Sequence, residues 1–167
     1  MVLFVNGLPL VVVELKKPGD EKAGITKAWN DLQTYHTQVR SLFLHNATEV
    51  ISDGWQAGLG TITAPFSRFQ PWRTIDGTTI APGGPRGAQA AGPGQSSAAS
   101  PARRPGAPLE AKSCMALETL TRGALAPAHL LRLLRAFIVF EDDGEAVSKK
   151  VAAYHQYHAV LKAVEQC

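Results

Sequence analysis

The chain has 167 residues, 17 Lys+Arg against 14 Asp+Glu, and a hydrophobic share of 45%, which excludes wholesale disorder and allows one ordinary domain or a small one with part of another. No apolar run approaches the roughly 18–20 residues that span a bilayer, and MVLFVNGLPLVVV runs straight into Glu14, Lys16 and Lys17 without a basic leader or cleavage site, so neither a membrane span nor a signal peptide is expected. The net charge of +3 resides in residues 82–108 (Arg86, Arg103 and Arg104, no acid), while 1–81 and 109–167 each balance seven basic with seven acidic side chains; global charge therefore says nothing about a nucleic-acid partner.

In chain order, VLFV and LPLVVVELK flank Asn6-Gly7, a dipeptide that tolerates the positive φ angles of a two-residue hairpin turn. Leu10 to Leu15 is apolar on both faces until Glu14, the pattern of a buried central strand. Pro18-Gly19-Asp20 closes it. Ile25, Ala28, Trp29, Leu32, Tyr35, Val39 and Leu42 then recur at three- and four-residue steps, which predicts an amphipathic helix over roughly residues 23–40. TEVISDG (48–54) reads as a short strand and QAGLGTITA (56–64) as an edge strand. The order β-β-α-β-β predicts a small mixed sheet with a helix on one face, hence an α/β fold class.

Residues 82–108 hold six Pro, six Gly, seven Ala and three Ser and no large apolar side chain, so a linker or insert is expected there. The block from 109 to 167 reads as helical: Met115 to Gly123, then a helix starting at Pro127 with Leu130, Leu131, Leu133, Leu134 and Phe137. FIVF (137–140) fits either a strand or a buried turn. The longest helical pattern covers 145–165, with Val147, Val151, Tyr154, His158, Leu161 and Val164 on one face, and the acids Glu141, Asp142, Asp143 and Glu145 at its start. Cys114 and Cys167 make no disulfide framework and suit a reducing, cytoplasmic setting.

The chemistry-bearing pair is Glu14 and Lys16. On a strand, side chains at i and i+2 share a face about 7 Å apart. A charged pair on an otherwise buried strand is costly unless it binds something. A metal with a phosphate is one such ligand; the alternative is a strand that ends at residue 13 with both charges solvated.

The segments VLFVNGLPLVVVELKKP, LQTY, VISDG and RFQPWRTIDG, followed by LLRLLRAFIVFEDDG and KKVAAYHQYHAV, occur in one order over most of residues 2–80 and 116–165. They closely resemble the nuclease domain of the motor (R) subunit of type I restriction–modification enzymes and the stretch leading into its first RecA-like motor domain. The resemblance implies a PD-(D/E)xK nuclease core at 1–81, incomplete, a linker at 82–108, and a helical lead-in to the motor at 109–167. It implies an endonuclease acting on double-stranded DNA with Mg²⁺ and ATP, in the bacterial cytoplasm, with modification-methylase and specificity subunits as partners.

Carried over by position, Glu14 matches the acidic, Mg²⁺-binding residue of the nuclease motif and Lys16 its lysine. The family's other metal-binding Asp lies in a strand that would precede residue 1. Tyr35 matches the Tyr of a Gln-x-x-x-Tyr pair, with Asp31 standing where the Gln is expected. Gln156 matches the glutamine that contacts adenine ahead of the phosphate loop, whereas G-x-x-x-x-G-K-[ST] occurs nowhere in the chain. The expectation is a fragment cut at both ends and inactive alone, with exposed apolar faces on its C-terminal helices. The alternatives are a non-enzymatic remnant that docks to a methylase complex, and a free-standing nuclease that recruits Asp31 or Asp53 as its second carboxylate. The roles of Trp72 and Arg73, in packing or DNA contact, stay open, and His155 and His158 are not expected to hold a metal.

Overall fold

The computed structural model describes residues 1–17, 24–81 and 116–166. The turn at Pro18-Gly19-Asp20, the linker at 82–108 and both cysteines lie outside the described residues.

Strands β1 (Val2–Val5) and β2 (Leu8–Leu15) form an antiparallel hairpin across Asn6 and Gly7. Both turn residues have positive φ, 50° and 81°, as the twist of a two-residue connection demands. From β2 the chain crosses through helix α1 (Ile25–Gln38) and the short α2 (Arg40–Phe43) to β3 (Thr48–Ser52), which lies parallel to β2. Parallel neighbours need such a crossover. Strand β4 (Ala57–Gly60) returns antiparallel to β3, giving a mixed sheet in the order β1-β2-β3-β4.

The run that reads as a buried strand is one. Val11, Val12 and Val13 are 0%, 4% and 1% exposed, so β2 is covered on both faces. Val12 packs with Ile51, Ala28, Leu32, Phe43 and Phe69 in the layer under α1. Val11, Val13 and Val50 face the opposite layer. In β4, glycine is needed for close approach: a Cβ on Gly60 would sit 2.8 Å from the Phe69 ring, which covers the strand.

The C-terminal block comprises α3 (Ala116–Gly123), α4 (Pro127–Ala136), β5 (Ile138–Asp142), β6 (Val147–Val151) and α5 (Tyr154–Glu165). Leu120, Leu125, Leu130, Leu133 and Tyr157 pack with Trp72 against the second face of the sheet. The result is three layers, helix on sheet on helix. The inner faces of these helices are thus buried against β-strands of this same chain, and the exposed apolar groups are those on their outer sides, such as Leu131 and Val164.

One element differs from the sequence reading. The helix expected over 145–165 begins only at Tyr154, and residues 147–151 are the second strand of a hairpin with β5. Turn chemistry overrides the helical periodicity. Gly144 has φ 87°, and the Asp143 Oδ1 accepts from the backbone N–H of Glu145 and Ala146 at 3.0 and 2.8 Å. The acids at 141–145 therefore build a hairpin turn rather than complement a helix dipole, and Glu141 pairs with Lys150 across the two strands.

Candidate functional site

Glu14 lies near the end of β2, on the same face as Val12 and under α1. Lys16 lies just beyond the strand, yet its backbone N–H still donates to the Ser52 carbonyl at 2.8 Å, extending the parallel ladder. Extended backbone at 14–16 therefore puts both side chains on one face, and the Lys16 ammonium donates to Glu14 Oε1 at 2.6 Å. The two side chains are only 15% and 16% exposed, so the pair is not a solvated loop.

Across the crevice, Asp31 on α1 completes the cluster: Lys16 Nζ donates to Asp31 Oδ2 at 2.5 Å. The hydrogen bond from Asp31, then that from Glu14, raises the Lys16 pKa to about 12 against the opposing effect of burial. The same bond to Lys16 lowers the Asp31 pKa. Tyr35, one turn further along α1, packs into the apolar layer, and among the described residues it donates to none of these three groups. Asp53 does not join them; its Oδ1 accepts the Gln56 N–H at 2.7 Å and shapes the β3–β4 turn.

Magnesium takes one or two protein carboxylates and fills its other positions with water and phosphate oxygens. Glu14 and Asp31 converge on one point, and a cation, the Lys16 ammonium, lies between them; this donor chemistry fits a site in which Glu14 is one ligand. Among the described residues no group of three or more His, Cys, Asp or Glu is placed to hold a metal ion.

A second polar pair lies on this face and has no signal in the sequence beyond a charged residue in an apolar strand. Glu49 of β3 is fully buried, and its Oε1 is 2.5 Å from His36 Nε2, while Oε2 has no partner. Burial raises the Glu49 pKa, and the charges of His36 and Lys149 offset part of that. His36 is held edge-on against Phe43, ring centroids 4.6 Å apart.

Gln156 lies in the first turn of α5 and lines a cleft of about 840 Å³ with Arg68, Gln70, Val139, Lys150 and His155, among others. Its Oε1 accepts the Ala153 backbone N–H at 3.0 Å, so it caps its own helix. Ala153 has no polar side chain, so the reciprocal half of a capping box is missing.

The family model described as the N terminus of type I restriction enzyme R proteins matches residues 1–68. Over 164 residues, 97% of the chain, the sequence is 37% identical to the type I restriction enzyme HindI endonuclease subunit of Haemophilus influenzae. The chain belongs to the type I restriction enzyme R proteins. It is also 25% identical, over 99% of its length, to a Methanocaldococcus jannaschii protein named for a type I restriction enzyme MjaIXP endonuclease subunit. It spans only 13% and 14% of the lengths of these two relatives. No solved structure matches it.

In this R-protein chain Trp72 of the WRTIDG segment is part of the core. Trp72 is 3% exposed, its ring centroid 5.4 Å from that of Tyr157, and a Cβ on Gly123 would meet its Nε1 at 2.5 Å. Asp76 caps the following turn, its Oδ1 accepting from the N–H of Thr78 and Thr79 at 2.8 and 2.9 Å. His158 packs against Trp72 and Tyr157, whereas His155 lines the cleft. No helix among the described residues is long and apolar enough to cross a membrane.

Proposed function

We propose that the chain supplies part of the DNA-cutting centre of a type I restriction enzyme R subunit, on a PD-(D/E)xK nuclease core at 1–81, with 82–108 as a linker and 109–167 leading toward the motor. The reaction is hydrolysis of phosphodiester bonds in unmodified double-stranded DNA, in the bacterial cytoplasm, within an assembly of methylase and specificity subunits. The observation that supports this most is the Glu14–Lys16 contact on a strand end otherwise built of valines and leucines.

In this reading Glu14 holds Mg²⁺, which when bound activates water and draws charge from the phosphate. The high pKa of Lys16 commits it to the ammonium form, so it acts by stabilising negative charge on phosphate oxygens rather than by accepting a proton. An ammonium has three donors. Two meet Glu14 and Asp31, and among the described residues the third has no partner and is read as meeting DNA. Tyr35, one turn along α1 from Asp31, is read as the tyrosine of the family's helical pair, held by the apolar layer. Among the described residues no group of three or more His, Cys, Asp or Glu gathers around Glu14, and the chain alone is expected to leave plasmid DNA uncut.

The test is Glu14→Gln in the complete R subunit, assembled with its methylase partners and given Mg²⁺ and ATP. Cleavage should be lost while ATP hydrolysis continues; retained cleavage would overturn the assignment. For ATP, Gln156 is the residue read as meeting adenine. With Oε1 committed to Ala153, only its amide nitrogen is available to the base, so Gln156→Ala should weaken nucleotide binding modestly and also loosen the start of α5.

A further inference from the structure

Resting on that nuclease reading, we propose that Asp31 is the positioning residue of Lys16: from α1 it draws the ammonium off the strand and leaves Glu14 an oxygen for a divalent cation. Lys16 and Glu14 share a face at i and i+2, and without a second acceptor the ammonium would settle wholly on Glu14. The structure divides it instead, 2.5 Å to Asp31 Oδ2 and 2.6 Å to Glu14 Oε1.

Asp31 is well placed for this. Ala28 and Leu32, three residues before it and one after, are both fully buried, so α1 is pinned against the sheet at this level and the carboxylate cannot drift. Its other neighbour, Lys27, is half exposed and 3.6 Å away, a weak competitor. A carboxylate on the helix wall facing a lysine on the sheet wall sets the width of the crevice from both sides. Groups acting in concert need such support to hold geometry.

The test uses the full chain, uniformly ¹⁵N-labelled, with Mn²⁺ as the probe. An ammonium held by two carboxylates exchanges its protons slowly, so Lys16 should give a distinct side-chain signal. Asp31→Asn should remove that signal and weaken the Mn²⁺-induced broadening of resonances at Glu14, whereas Lys27→Ala should leave both. In a Lys16→Met background Asp31→Asn should have no further effect on Mn²⁺, because it acts only through the lysine. A Lys16 signal that survives Asp31→Asn overturns the proposal. So does an equal loss of Mn²⁺ binding in both backgrounds, since Asp31 would then be a ligand itself. If Mn²⁺ never approaches Glu14 in any background, the metal role of Glu14 fails, and the ammonium signal alone decides whether Asp31 holds the lysine.

Discussion

On one face of the sheet Val11, Val13 and Val50 meet a largely apolar layer from α3, α4 and α5, whereas on the other Val12 and Ile51 share the space under α1 with Glu14, Lys16, Asp31, His36 and Glu49. The first face buries large side chains to completion, among them Leu120, Leu133 and Tyr157. The second joins helix to sheet through charges. Burial of hydrocarbon stabilises without direction, while buried charges must be paired and gain little net free energy. The α3–α5 side therefore holds the fold almost wholly through hydrocarbon, while the ionisable side chains are concentrated under α1.

The strongest way to break this comparison is on the apolar face. Leu133→Ala should cost about 2–5 kcal/mol, read as a lower urea midpoint at unchanged slope. A loss well under 1 kcal/mol would show that the helices are not essential cover for the sheet.

On the charged face, His36→Ala strips the partner from a fully buried carboxylate, for about 3 kcal/mol at neutral pH. The sign with pH follows from Glu49. Its folded pKa is raised by burial, so its favourable neutral form prevails below the ordinary carboxylate range, and stability is lost as pH rises through the folded value. The His36→Ala deficit should therefore shrink in acid, and Glu49→Gln should flatten the stability–pH profile above about pH 4.5. A deficit independent of pH would mean that His36 matters only by packing on Phe43.

The smallest effect sharpens the comparison from a neutral site. Backbone N–H groups of Thr79 and Thr78 hold the Asp76 carboxyl well below the usual range. Its contribution is present above about pH 4 and is lost as pH falls through the folded value. Asp76→Asn should lower the midpoint slightly at pH 7, and the difference should fade in acid.

Much of this was legible from residue order. Asn6-Gly7 marks the first hairpin, the valine run marks a strand covered twice, and the stripe from Ile25 to Tyr35 marks α1, while Val39 is the exposed break after it and Leu42 belongs to α2. The shared face of Glu14 and Lys16 follows from strand period alone. Other features need coordinates. Asp31 is 15 residues from Lys16, and only the width of the α1–sheet crevice decides that they touch. Tyr157 rather than Tyr154 or His158 is the fully buried ring of α5, because the strand at 147–151 resets where that helix begins and so which side faces Trp72. Asp143-Gly144 was a readable turn signal that apolar spacing at 147, 151 and 154 masked.

The Thr61 hydroxyl donates to the Lys149 carbonyl at 2.6 Å, while Thr63 both donates to that carbonyl, at 3.1 Å, and accepts the Lys149 N–H, at 2.7 Å; the Lys149 ammonium reaches the Asn46 carbonyl. Four hydrogen bonds thus converge on one residue of a surface hairpin. Mechanically this is a rivet: one residue fastens the β5–β6 hairpin both to the loop after β4 and to the chain just ahead of β3. The anchor at Asn46 lies three residues ahead of Glu49, which shares a strand face with Ile51, the register partner of Glu14, so the rivet and the charged face meet at one strand.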